Sequence, residues 1–111
     1  MPAENIHFVA RSTQMLAHCT DKIQRLVTWL QANPILQVGL DGHAAEAQAD
    51  ERAFAPGRVQ VVRAVLIERG VAAGRIHIGD YGERHAVCTV STEQCRGLNR
   101  RIEVLFTTHQ L

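Results

Sequence analysis

Apolar residues recur along this 111-residue chain with two different periods. Alternation at every second position predicts strands over residues 5–9, 35–40, 75–81 and 100–107. Spacings of three and four residues predict two amphipathic helices, one after each of the first two strands. The residues expected to face the core are Ile6, Phe8, Leu16, Cys19, Ile23, Leu26, Val27, Leu30, Leu36, Val38, Leu40, Val59, Val62, Val65, Leu66, Ile102, Val104 and Phe106.

The helix ends are marked by residues that cap or terminate helices. Ser12 or Thr13 can cap the first helix by accepting a hydrogen bond from a free backbone N–H. Asn33-Pro34 is expected to end it, because the residue before a proline avoids the helical conformation. Pro56 suits the first turn of the second helix, where its missing N–H is not needed. Gly70 is expected to stop that helix.

The order of elements is strand–helix–strand–helix–strand–strand, within a single domain of residues 1–111. Two one-sided helices and four short strands predict a two-layer α/β sandwich, a small mixed sheet covered on one face by both helices. The last strand is expected to pair antiparallel with at least one neighbour. Asp41 and Gly42 are expected to turn out of the second strand, and residues 82–98 to form a long loop.

Charge and composition exclude several classes of function. Twelve basic and eleven acidic residues give a net charge of +1, with no basic stripe to neutralise phosphates, so nucleic-acid binding is not expected. No apolar run is long enough to span a bilayer, and no signal peptide is visible. There is no nucleophile with a base, and no glycine-rich phosphate loop. We therefore expect a protein that is not an enzyme, uses no cofactor and does not insert into a membrane.

Several short segments, taken together in their order and spacing, carry a family resemblance. They are Ile6-x-Phe8, Val38-x-Leu40-x-Gly42-His43, Arg58 with Val62 and Leu66, Gly70-Val71, Arg75-Ile76, Gly79-Asp80-Tyr81-Gly82-Glu83 and Asn99-Arg100-Arg101-Ile102-Glu103. The chain resembles the OmpA-like domain, the periplasmic peptidoglycan-binding module of outer-membrane proteins, peptidoglycan-associated lipoproteins and flagellar stator proteins. The resemblance implies a periplasmic domain of a larger membrane-anchored protein that binds the diaminopimelate stem peptide of peptidoglycan.

The resemblance also implies a binding site, which this chain only partly retains. Arg58 matches the arginine that holds the stem-peptide carboxylate. The motif that begins at Gly42-His43 has alanine at both of its last two positions, so Ala45 stands where the family has an aspartate. The ammonium of the ligand would then need another carboxylate, and Glu51 or Glu46 could supply one.

The remaining candidate residues have structural explanations. Arg58 could instead form a salt bridge with Glu51 or Asp80. His43 and Glu46 are three residues apart, but two ligands without others predict no metal site. Supporting roles are expected for Asn99, Arg100, Arg101 and Glu83, with one arginine bracing the loops near the site against Glu83.

A second class of function remains open. If the loss of the aspartate has abolished peptidoglycan binding, the domain would be a degenerate copy of the fold. It would then act through an envelope protein partner or as a homodimer. Leu105 lies on the face of the last strand opposite the core residues, and it is the candidate contact if that face is exposed.

Three cysteines divide into two groups by sequence context. Cys88 and Cys95 lie in a polar loop, and their separation matches no common zinc or redox motif, so a loop disulfide is predicted. Such a short closure would stabilise the fold by roughly 2–3 kcal/mol. Cys19 lies on an apolar helix face and is expected to be a small buried hydrophobe.

Overall fold

The computed structural model describes residues 3–43, 54–79 and 101–108. Within these ranges the elements follow the predicted order. They are β1 (Ala3–His7), α1 (Cys19–Ala32), β2 (Gln37–His43), α2 (Ala55–Glu68), a 3-10 turn (Ala73–Arg75), β3 (Ile76–Ile78) and β4 (Arg101–Thr107).

The four strands form one mixed sheet in the order β1-β4-β2-β3. The C-terminal strand β4 lies inside the sheet and pairs antiparallel with both β1 and β2, while β2 and β3 are parallel. A parallel pair needs a crossover connection, and α2 provides it between β2 and β3. The predicted antiparallel pairing of the last strand is confirmed.

The core lies between one face of this sheet and the two helices. Alternate residues of β4 are buried there together with the inward residues of α1 and α2. Trp29 of α1 also packs edge-on against Phe106, with ring centroids 4.8 Å apart. The predicted two-layer sandwich is confirmed. The predicted core residues that are buried are Ile6, Phe8, Cys19, Ile23, Leu26, Val27, Leu30, Val38, Leu40, Val59, Val62, Leu66, Ile102, Val104 and Phe106.

The opposite face of the sheet is less open than the sequence suggested. Leu105 is only 7% exposed, so the condition under which it would be a candidate contact is not met. Asp41 is also buried and lies within β2, in register with Glu103 of β4. The predicted turn at Asp41 and Gly42 is therefore wrong. The strand continues to His43 because β4 runs alongside it as far as Arg101 and pairs with its backbone.

The first helix begins later than predicted, at Cys19. Neither Ser12 nor Thr13 caps it, because residues 8–18 form a folded loop between β1 and α1. Within this loop Phe8 bridges to Met15, and the Ser12 Oγ accepts a hydrogen bond from the Gln14 backbone N–H at 2.9 Å. A serine hydroxyl that bonds two residues onward stabilises a local turn instead of a helix end.

The other helix boundaries agree with the sequence. α1 ends at Ala32, immediately before Asn33 and Pro34. Pro56 lies in the first turn of α2. Gly70 follows α2 with a φ of 102°, a left-handed conformation that only glycine adopts without strain.

The third strand is shorter than predicted. It spans Ile76–Ile78, because Arg75 belongs to the preceding 3-10 turn and Gly79 forms a bend after the strand. Asp80 and Tyr81 lie outside the described residues. The predicted long loop at 82–98 lies outside them too.

Replacing Gly70 by alanine is expected to destabilise the domain by about 1–2 kcal/mol, because alanine is strained at this positive φ. A Cβ at this position would also lie 3.0 Å from Gln31 Nε2. Urea unfolding of the variant checks the expectation. Gly74→Ala is the matched control, since a Cβ there meets no atom within 4 Å. Equal losses in the two variants would contradict the assigned role of Gly70.

Candidate functional site

The candidate site is centred on Arg58, in the first turn of α2. Its side chain is fully buried, with 0% of the residue exposed. A buried guanidinium is stable only where its N–H groups have partners, because burying an uncompensated charge is costly. The surroundings of this side chain therefore show what it can do.

The loop between β1 and α1 provides two of these partners. Arg58 Nε donates to the Ser12 carbonyl at 2.8 Å, and Nη2 donates to the Val9 carbonyl at 3.3 Å. Both acceptors are backbone groups of residues 8–18, more than 40 positions earlier in the chain. Arg58 thus attaches the start of α2 to the loop that follows β1.

Two aromatic rings lie against the same guanidinium. The Arg58 Cζ is 5.6 Å from the ring centroid of Phe8 and 5.6 Å from that of Phe54. Both distances are within the range of a cation–π interaction. Phe8 reaches the arginine from the end of β1, and Phe54 reaches it from the residue that precedes α2.

The helix approaches the loop closely next to Arg58. A Cβ on Gly57 would lie 3.0 Å from the Thr13 Cγ2, which is tighter than ordinary van der Waals contact. Glycine at this position therefore lets the first turn of α2 lie directly against the loop. This close approach brings the Arg58 side chain within reach of the loop carbonyls.

The other predicted ligand-binding residues are only partly described. His43 is the last residue of β2 and pairs in register with Arg101 of β4. Ala45, Glu46 and Glu51 lie outside the described residues. The loss of the aspartate and its replacement by Glu51 or Glu46 remain predictions, as does a salt bridge from Arg58 to Glu51 or Asp80.

Of the predicted supporting residues, Arg101 is described. It is buried, and its Nη2 donates to Glu103 Oε1 at 2.9 Å, two residues along the same strand. Its predicted partner Glu83 lies outside the described residues, as do Asn99 and Arg100.

The cysteines and the candidate metal ligands have separate outcomes. Cys19 is buried and not disulfide-bonded, which confirms its interpretation as a core residue. Cys88 and Cys95 lie outside the described residues, so their disulfide stays a prediction. Within the described ranges, no group of three histidine, cysteine, aspartate or glutamate residues could hold a metal ion.

Four residues that surround Arg58 were not predicted from the sequence: Phe8 and Phe54 as ring partners, and Val9 and Ser12 as carbonyl acceptors. Phe54 had a usable signal, because it precedes Arg58 by four residues, the spacing of neighbours on a helix face. The two carbonyls had none, because every residue carries one.

Comparison with solved structures identifies the fold. The peptidoglycan-associated lipoprotein of Burkholderia pseudomallei matches with a TM-score of 0.80 over 93% of this chain and 89% of that chain, at 20% identity. The periplasmic domain of Helicobacter pylori MotB gives 0.76 over 97% and 83%, at 19% identity. The OmpA-like domain of Francisella tularensis FopA1 gives 0.72 over 94% and 71%, at 16% identity. The fold is therefore that of OmpA-like domains.

Sequence comparison leads to the same family. The peptidoglycan-associated lipoprotein of Agrobacterium fabrum is 31% identical over 100 residues, which make up 88% of this chain and 56% of that protein. The chain spans little more than half the length of the peptidoglycan-associated lipoproteins it matches. No protein-family model matches it. The chain therefore resembles peptidoglycan-associated lipoproteins in sequence and OmpA-like domains in fold, which confirms the resemblance seen in the sequence.

The names of these similar proteins agree with two predictions from the sequence. The Helicobacter pylori match is a periplasmic domain, in agreement with the predicted location. The Agrobacterium fabrum match is a peptidoglycan-associated lipoprotein, in agreement with the prediction that the domain is not an enzyme. In the part of the chain that the structure describes, no helix combines the length and the apolar character needed to cross a bilayer.

Proposed function

We propose that this domain binds peptidoglycan non-covalently and so attaches a larger envelope protein to the cell wall. Arg58 would hold a carboxylate of the diaminopimelate stem peptide, with backbone N–H groups at the start of α2 assisting. Ala45 stands where the family has the aspartate that holds the ammonium of the ligand. Glu51 or Glu46 would hold that ammonium here. His43, at the end of β2, would lie beside this pocket.

The observation that carries the proposal is the position of Arg58 in a chain similar to peptidoglycan-associated lipoproteins. Arg58 lies in the first turn of α2, where the helix dipole also favours negative charge. A guanidinium presents parallel N–H donors that match a carboxylate in geometry and charge. A guanidinium held in this way matches a carboxylate, and because none of its surface is exposed, binding requires the residues that cover it to move aside.

The alanine at position 45 predicts a weaker site than one that has both charges. Removing one member of a buried charge pair at an interface costs roughly 2–5 kcal/mol. The affinity would then depend on Arg58 together with any carboxylate that the 44–53 segment supplies. We therefore expect binding that depends on Arg58 and has modest affinity.

Co-sedimentation with purified peptidoglycan tests the proposal. The unaltered domain is expected to pellet with the wall. Arg58→Lys is expected to lower the affinity for peptidoglycan at least about tenfold, measured from the bound fraction at a series of peptidoglycan concentrations. Lysine keeps the charge but lacks the planar pair of donors. Arg63→Lys, on the same helix, is the matched control and should pellet normally. Unfolding curves for all three proteins ensure that folded domains are compared.

Two results would reject the proposal. The first is a folded wild-type domain that does not pellet. The second is equal pelleting of the wild type and both Arg58→Lys and Arg58→Ala. In the first case the domain would act through an envelope protein partner or as a homodimer. Leu105 would not be the contact, because it is buried.

A further inference from the structure

The described surroundings of Arg58 combine two hydrogen bonds with two aromatic faces. The hydrogen bonds go to the carbonyls of Ser12 and Val9, and the faces belong to Phe8 and Phe54. A carbonyl and an aromatic face each stabilise a cation without carrying a net charge. These four contacts hold the guanidinium in place without themselves adding a negative charge.

The two phenylalanine side chains differ in how deeply they are buried. Phe8 is almost completely buried and is part of the hydrophobic cluster of the domain. Phe54 is only partly buried and lies at the start of α2, outside that cluster. Phe54 can therefore be changed with much less disturbance of the core than Phe8.

From this arrangement we propose that Phe8 and Phe54 are positioning residues for carboxylate binding, acting through Arg58. A free arginine side chain has many rotamers. Immobilising such a side chain on binding costs roughly 0.5–1.5 kcal/mol, or about two- to tenfold in affinity. The rings hold the guanidinium before any ligand arrives, so this cost is met during folding. The inference rests on the proposed function, since it concerns the affinity of that same site.

The position of Phe54 gives this effect a direct geometric basis. Phe54 is four residues before Arg58, and its carbonyl accepts the hydrogen bond from the Arg58 backbone N–H at 2.9 Å. The ring and the guanidinium therefore originate one helical turn apart on the same side of α2. Replacing the ring at position 54 therefore removes one contact of the guanidinium, and the loop carbonyls that accept its hydrogen bonds are not themselves substituted.

The test compares Phe54→Leu with Phe54→Tyr. Leucine keeps an apolar side chain but removes the aromatic face, whereas tyrosine keeps the face. We expect Phe54→Leu to bind purified peptidoglycan about three- to tenfold more weakly, with Phe54→Tyr close to the wild type. The thermal midpoint of Phe54→Leu is expected to fall by only a few degrees, so that every variant is folded when binding is measured. Trp29→Leu, which removes an aromatic ring that packs on Phe106 instead, is the matched control and should bind normally.

A second measurement needs no ligand. In NMR spectra, the Nε–H of Arg58 is expected to exchange with solvent several-fold faster in Phe54→Leu than in the wild type or Phe54→Tyr, because one covering ring is lost. A purely structural role for Phe54 would lower the thermal midpoint without this selective change.

The outcomes separate this inference from the proposed function. If the wild type pellets and Arg58→Lys does not, but Phe54→Leu binds and exchanges like the wild type, the inference is wrong and the proposed function stands. If the wild type does not pellet, the proposed function is wrong and so is the effect on affinity. The Nε–H exchange then still decides whether Phe54 holds the guanidinium.

Discussion

Replacement of Arg58 by alanine is expected to lower the free energy of unfolding by about 3–5 kcal/mol, a large part of the stability of a small domain. The change removes two charge-assisted hydrogen bonds, to Ser12 and Val9, each worth roughly 1.5–3 kcal/mol. It also removes the cation beside two aromatic rings and opens a cavity at a fully buried position.

Urea unfolding of the wild type and Arg58→Ala measures this effect. Arg63→Ala, a less buried arginine on the same helix, is the matched control and is expected to change stability by less than about 1 kcal/mol. If Arg58→Ala were no more destabilising than Arg63→Ala, the contacts to the loop carbonyls would contribute nothing to the fold.

Arg58 therefore has a structural role and a proposed binding role, and the two must be measured separately. Its contacts to the 8–18 loop stabilise the domain, and its charge is the basis of the proposed binding of a carboxylate. The presence of the arginine in the sequence is explained by either role. For this reason the sedimentation test includes Arg58→Lys together with unfolding curves.

Replacement of Arg75 by alanine is expected to cost about 2–4 kcal/mol. Its guanidinium donates to three backbone carbonyls, those of Leu36, Leu30 and Asn33, at 2.9–3.0 Å. Two of these are at the C-terminal end of α1, where the last carbonyls lack helical partners and a positive charge is favourable. Arg75 thus connects the end of α1 and the start of β2 to the turn before β3.

Arg69→Ala provides the control for Arg75. The Arg69 side chain bonds only an exposed side chain in the described structure, donating to Gln24 Oε1 at 2.9 Å. Its loss is expected to cost less than about 1 kcal/mol. Chemical denaturation of both variants makes the comparison, and similar losses would show that the three carbonyl contacts of Arg75 are not stabilising.

The sequence predicted the architecture through local patterns. Alternating residues of β4 and the stripes on α1 and α2 identified the core correctly, because burial depends on the periodicity of the element itself. Pro56 marked the start of α2, and Gly70 marked a position just beyond its end, because the backbone preferences of proline and glycine are also local. Ser12 misled the helix assignment because a serine can stabilise a turn as readily as a helix end.

The sequence by itself determined the family resemblance, the order of the elements and the core face of each one. It also gave Arg58 as the candidate binding residue. Only the tertiary structure decided what surrounds that arginine. Its acceptors are the carbonyls of Val9 and Ser12, which are distant in the chain and chemically the same as any other carbonyl. The close approach of α2 to the loop brings them together, and no local pattern encodes that approach.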